Sequence, residues 1–236
     1  HPGGVARTIG IISGSGPEAG LDLHSKVLRA RREMLGAAYR GDLDAPRVVS
    51  ISEPELGWSM ELDQHGDRVR DVLRSTAAQL APQVDVYGIA CNTLNVFCDD
   101  LAASRDLAGV VSIQGSVARA LRAGDIGRVG LLGSRPVAEL GRWSAYRDLV
   151  DEFEVVTPDD PATVQELIYD VKLHGGASAS LNERLGDVIL ELATPVVLLA
   201  CTELPLLRAP VEGVTTLDAT SVLAERLVAE AFAPPS

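Results

Sequence analysis

A short apolar run that breaks into a glycine- and serine-containing turn occurs twice in this chain. Ile9-Gly10-Ile11-Ile12-Ser13-Gly14-Ser15-Gly16-Pro17 is echoed by Val129-Gly130-Leu131-Leu132-Gly133-Ser134-Arg135-Pro136. Each reads as a strand, a tight turn and a helix with proline in its first turn. A second pair repeats at a similar offset: Gly88-Ile89-Ala90-Cys91-Asn92-Thr93 and Leu198-Leu199-Ala200-Cys201-Thr202-Glu203. Two copies of one strand–turn–helix order restrict the chain to two lobes of a common α/β topology.

The remaining periodicity fits that reading. Strands are expected at 8–12, 47–51, 84–90, 109–113, 128–132, 153–158, 195–200 and 212–217. Helices are expected at 18–35, 68–80, 116–123, 137–150, 163–173, 181–192 and 220–232, with Gly175-Gly176 ending the fifth. Alternating strands and helices imply parallel sheets. The expected fold is therefore α/β, with two pseudo-symmetric lobes, each a parallel-rich sheet flanked by helices. Residues 5–114 with 214–236 form the first lobe, and 115–213 the second. Ligands of such sheets lie outside the carboxyl ends of the strands. Ser13, Cys91, Ser134 and Cys201 then converge on one cleft between the lobes. Gly14 and Ser15 lie in a turn whose free N–H groups suit an anion.

Composition removes several classes. The chain has 33 acidic against 21 basic residues, a net charge of −12, and lacks the basic stripe of a nucleic-acid binder. Its apolar runs fall far short of the ~20 residues a bilayer requires. Three cysteines make no disulfide framework, which implies a reducing, cytoplasmic setting. His24, His65 and His174 show no metal-ligand spacing, so no metal is expected. Gly14-Ser15-Gly16 begins a dinucleotide pattern, but Ala19 stands at the third glycine's place, and no Gly-Lys-Ser/Thr phosphate loop exists. His1-Pro2-Gly3-Gly4 reads as a loose terminus.

The two Ala-Cys strands carry the chemistry. A cysteine just past a strand, at a helix start, feels the positive end of that helix, which lowers its pKa from about 8.5 toward neutrality. One thiolate can then serve as base and one thiol as acid on opposite faces of a stereocentre. Asn92, Thr93 and Thr202 offer donors beside the thiols for an α-carboxylate. Lys172, on a helix between Val171 and Leu173, is a candidate carboxylate anchor. Cys98 has no comparable surroundings and reads as a packed thiol.

These motifs resemble the aspartate/glutamate racemases that work without pyridoxal phosphate, and most of all the aspartate racemase branch. The resemblance rests on the glycine-rich opening ending at Pro17, on Ala90-Cys91-Asn92-Thr93, on Gly130 to Arg135, on Ile168-Tyr169-Asp170-Val171-Lys172, and on Ala200-Cys201-Thr202-Glu203-Leu204-Pro205-Leu206-Leu207. It implies Cys91 and Cys201 as the acid–base pair, and Asn92, Thr93 and Thr202 about the α-carboxylate with Ser134 and Lys172 nearby. Glu203, within the second motif, is counted with these. The resemblance also implies no cofactor and a homodimer acting on a small amino acid or dicarboxylate.

Two departures stand out. Asn95 occupies the place of the family's usual histidine after the first cysteine, a change expected to alter pocket polarity. The segment that commonly reads Pro-Asp-Arg is here Glu53-Pro54-Glu55-Leu56-Gly57-Trp58, without arginine. The expected substrate is accordingly aspartate-like or another amino acid. A maleate-isomerase- or decarboxylase-like reaction and a non-catalytic metabolite-binding role are the competing readings.

Overall fold

The structure is a computed structural model that describes residues 7–107, 109–175 and 178–233. The segment 1–4 and Gly176 lie outside the described residues.

Strand β1 (Thr8–Ser13) leads through Gly14–Gly16 into helix α1 (Pro17–Leu35), which starts with Pro17 in its first turn and ends at Gly36. Then come β2 (Arg47–Ser52), a 3-10 segment (Pro54–Glu61), α2 (Leu62–Leu80), β3 (Val86–Ile89), a 3-10 turn (Thr93–Phe97), α3 (Cys98–Ala102) and α4 (Ile113–Ala123). The second half runs β4 (Arg128–Gly133), α5 (Arg135–Ala138), β5 (Glu154–Val156), α6 (Pro161–His174), α7 (Ala179–Glu191), β6 (Val196–Ala200), β7 (Thr215–Asp218) and α8 (Ala219–Ala231). Asp160 and Asp218 cap α6 and α8, accepting from the amides of Ala162 at 3.0 Å and Thr220 at 2.9 Å.

Two parallel sheets result, ordered β2-β1-β3 and β5-β4-β6-β7. β1 is buried along its whole length, as parallel strands covered on both faces are. Alternate residues feed different cores. Ile9 and Ile11 of β1 join Leu131 of β4 and Leu198 of β6 in a middle core shared with α1, α4 and α8. Ile12 and Ile89 face an outer core with α2, and Leu132 and Leu199 face another with α6 and α7. The lobes are thus fused through one helical layer.

The internal repeat has a packing reason. A Cβ on Gly10 would lie 2.7 Å from Tyr87 Cβ, and one on Gly130 2.7 Å from Leu192 Cδ1. At the same place in each leading strand, the missing side chain lets neighbouring elements close against the sheet.

The structure corrects two expectations. Residues 109–113 make a single bridge, Tyr87 to Val110, because Ser112 caps α4 by accepting from Gly115 N at 3.2 Å. The helix expected at 137–150 stops at Ala138; Leu140 adopts φ +52°, which breaks helical geometry, and a 3-10 turn follows at Arg147–Asp151. β7 is hydrogen-bonded to β6 in the second sheet, whereas α8 runs back to pack on α1.

Candidate active site

The carboxyl ends of the two sheets face one small cavity that opens to solvent. Ser15, Cys91, Asn92 and Thr93 line it from the first lobe, and Ser134, Lys172, Cys201, Thr202 and Glu203 from the second. Strand parity sets the thiols. Cys91 shares a face with Ile89, and Cys201 with Leu199, each on the outer-core side of its own sheet. Both cysteines are 8% exposed.

The first lobe surrounds its thiol with hydroxyls. Cys91 Sγ donates to Ser15 Oγ at 3.5 Å, and Ser15 Oγ lies 2.5 Å from Ser59 Oγ. Ser59 gets there because the 3-10 segment is drawn against the first turn. Glu53 N donates to Ser13 O at 2.9 Å, and a Cβ on Gly14 (φ +125°) would overlap the Glu53 carbonyl at 1.9 Å. Gly14 is therefore a packing requirement of the turn rather than a part of the cavity wall. Ser13 does not line the cavity either. It has the parity of Ile11, lies against Gly20 of α1, and its hydroxyl makes only a 3.5 Å contact to Ile51 O.

Asn92 is poised differently. Tyr146 Oη donates to Asn92 Oδ1 at 2.5 Å, leaving Asn92 Nδ2 buried without a partner. Burial pushes the Tyr146 phenol well above its ordinary value, so it remains a donor. An orphaned amide donor on a cavity wall suits a ligand oxygen. Thr93 Oγ1 and Ser134 Oγ, 2.9 Å apart, join the two lobes beside it.

The second lobe surrounds its thiol with charge. Glu203 Oε2 accepts from Cys201 Sγ and from Thr202 Oγ1, each at 2.9 Å, and Glu203 Oε1 lies 3.2 Å from Lys172 Nζ. Gly16 closes over this pair: a Cβ there would lie 2.9 Å from Glu203 Oε1. Burial, and then the Glu203 carboxylate, push the Cys201 thiol well above the ordinary range. Burial is the largest influence on Lys172 and works against its charge, but Glu203 and the two cysteines together outweigh it and the ammonium is strengthened.

The expectation of a helix-lowered thiol fails at Cys201. Only a three-residue 3-10 turn, Leu204–Leu206, follows it, so no aligned row of peptide dipoles points at the sulfur. Asn95 is corrected too. It lies behind the cavity wall, fully buried, and its amide is spent on structure. Nδ2 donates to Cys91 O at 2.8 Å and Ile89 O at 3.2 Å, and Oδ1 accepts from Ile113 N at 2.9 Å and Cys98 Sγ at 3.1 Å. Cys98 is packed as expected, its thiol pushed up by burial.

Ser59, Met60, Ile168 and Ala200 also line the cavity and were not anticipated. Ile168 carried a signal, since it precedes Lys172 by one helical turn on α6. Among the described residues no cluster of three or more His, Cys, Asp or Glu could hold a metal, and no helix is long and apolar enough to cross a membrane.

Two parallel sheets on a shared helical layer form the two-lobed fold seen in solved racemase structures. Aspartate racemase of Picrophilus torridus superposes with a TM-score of 0.78 at 22% identity, covering 95% of this chain and 94% of that one. An aspartate racemase homologue of Pyrococcus horikoshii gives 0.71 at 22% identity, covering 95% and 99%. Maleate isomerase of Pseudomonas putida gives 0.55 at 14% identity, covering 96% and 93%. No curated protein sequence matches the chain. Residues 12–227 match the family model for Asp/Glu/hydantoin racemases, and the chain belongs to that family of racemases and isomerases.

Proposed function

We propose that the protein is an amino-acid racemase that needs no pyridoxal phosphate, with Cys91 and Cys201 as its two proton-transferring residues. The observation that carries this reading is the pair of thiols, one from each lobe, lining a single cavity. Asn92 Nδ2, Thr93 and Ser134 supply neutral donors for an α-carboxylate, which also stabilise the charge that spreads onto it when the α-proton leaves. Cys91, as thiolate, takes the α-proton and becomes a thiol. Cys201, held protonated, delivers its proton to the opposite face and becomes the thiolate. The product is the other enantiomer, and the reverse reaction starts from the exchanged protonation state. Glu203 accepts a hydrogen bond from the Cys201 thiol, which places a carboxylate where that proton is exchanged between turnovers.

The test is interconversion of enantiomers by the purified protein. Cys91→Ala and Cys201→Ala are each expected to lower it by at least ~10³-fold. Full activity surviving either change contradicts the assignment. The same reading takes the protein as a cytoplasmic homodimer. Light scattering would then return twice the 24.9 kDa chain mass.

A further inference from the structure

The charges around the cavity bear on which amino acid it takes. Among the described lining residues Lys172 is the one cation and Glu203 the one carboxylate, and they face each other at 3.2 Å. No arginine lines the cavity. Those that could have served are placed elsewhere. Arg47 starts β2, whose far end faces the site, about 16 Å away at the usual strand rise. Arg135 is half exposed and lies 3.7 Å from Glu139, and Arg68 bonds Glu55 at 2.8 Å outside the cavity.

Lys172 and Glu203 therefore cancel, and the reaction adds one thiolate. The working cavity carries a net negative charge in a buried setting, where like charges repel with little screening. A zwitterion adds no net charge. Its ammonium can turn to Glu203 and its carboxylate to Asn92 and the Thr93–Ser134 pair. A second carboxylate adds repulsion and meets no cation that lacks an anionic partner. Besides these groups and the two thiols, the wall is Met60, Ile168 and Ala200 with the hydroxyls of Ser15, Ser59 and Thr202.

We infer that the substrate is an amino acid with a short uncharged side chain, received by Met60, Ile168 and Ser59, and that the charge balance of the site selects against aspartate and glutamate. This rests on the racemase reading above. α-Proton exchange in deuterated water, followed by NMR, tests it across alanine, serine, methionine, aspartate and glutamate in both enantiomers. Neutral amino acids are expected to exceed the acidic pair at least tenfold in kcat/KM. Exchange confined to aspartate or glutamate overturns this inference and leaves the racemase reading standing. No exchange with any amino acid overturns both. Met60→Arg places a guanidinium at the wall and is expected to shift the aspartate-to-alanine ratio at least tenfold toward aspartate. An unchanged ratio in the folded variant contradicts the charge argument.

Discussion

The two thiol sites share a backbone plan and differ in everything around the sulfur. Cys91 donates to a serine hydroxyl that is itself bonded to a second serine, and its carbonyl is gripped from behind by Asn95. Cys201 donates to a carboxylate that also holds a threonine and a lysine. An internal repeat supplied two equivalent strand ends, and the neighbours of each sulfur made them chemically unequal: Ser15 and Ser59 from other segments at Cys91, Thr202 and Glu203 directly after Cys201. Cys91 has hydroxyls at hydrogen-bond distance, with the Lys172 ammonium close enough to interact with it. Burial, and then the Glu203 carboxylate, hold the proton on Cys201. The repeat of fold thus coexists with unlike surroundings for the two sulfurs, and each half of that contrast can be perturbed separately.

The largest perturbation of the contrast is Glu203→Gln. It removes the negative charge beside Cys201 while keeping the size of the side chain. Racemisation is expected to fall by ~10²-fold, within the range for one positioned proton-transfer partner. The pH dependence carries the sign. A thiol held above its ordinary value stays protonated through neutral pH and loses its proton only on the alkaline side. Glu203→Gln removes one of the two raising influences, so the alkaline limb of Cys201 alkylation moves to lower pH. An unshifted limb would mean that burial alone sets this thiol.

Next in size is Asn95→Ala, which acts on the Cys91 side through stability. It leaves Cys91 O and Ile113 N without their buried partner, at a cost of ~2–4 kcal/mol. Urea unfolding reads this, with Asn182→Ala, which removes a partly exposed acceptor from Arg208 N at 2.8 Å, as the reference loss of a single amide bond. A change below ~1 kcal/mol would show that water replaces the amide.

Smallest is Tyr146→Phe. Losing the bond that orients the Asn92 amide is expected to raise KM about fivefold, the equivalent of ~1 kcal/mol. kcat should change less, because the residue positions a binding group and does not reach the substrate. Equal loss in both parameters would argue for general distortion of the site.

Much of this arrangement was legible in the chain because local pattern determined it. The apolar runs of β1 and β4, Pro17 after a glycine turn, and Asp160-Pro161 before an amphipathic stretch each encode their element in a few neighbouring residues. The two Ala-Cys strand ends were readable for the same reason. What escaped depends on distant contacts. β7 pairs with β6 by long-range hydrogen bonds, which its own four residues do not announce. Ser59 and Met60 reach the cavity only because Glu53 lies against the backbone at Gly14. Tyr146 follows a segment whose helical pattern is overridden at Leu140. Ser13 was assigned to the cleft by its place at a strand end, yet its parity with Ile9 and Ile11 directs it toward α1.

The two-base assignment is tested most directly by racemisation of a single enantiomer in deuterated water, stopped at low conversion. If one thiol removes the proton and the other delivers a different one, the newly formed enantiomer carries deuterium at the α-carbon while the recovered substrate retains its proton. Deuterium appearing equally in recovered substrate and product, or a product that keeps the original proton, would contradict a division of labour between Cys91 and Cys201.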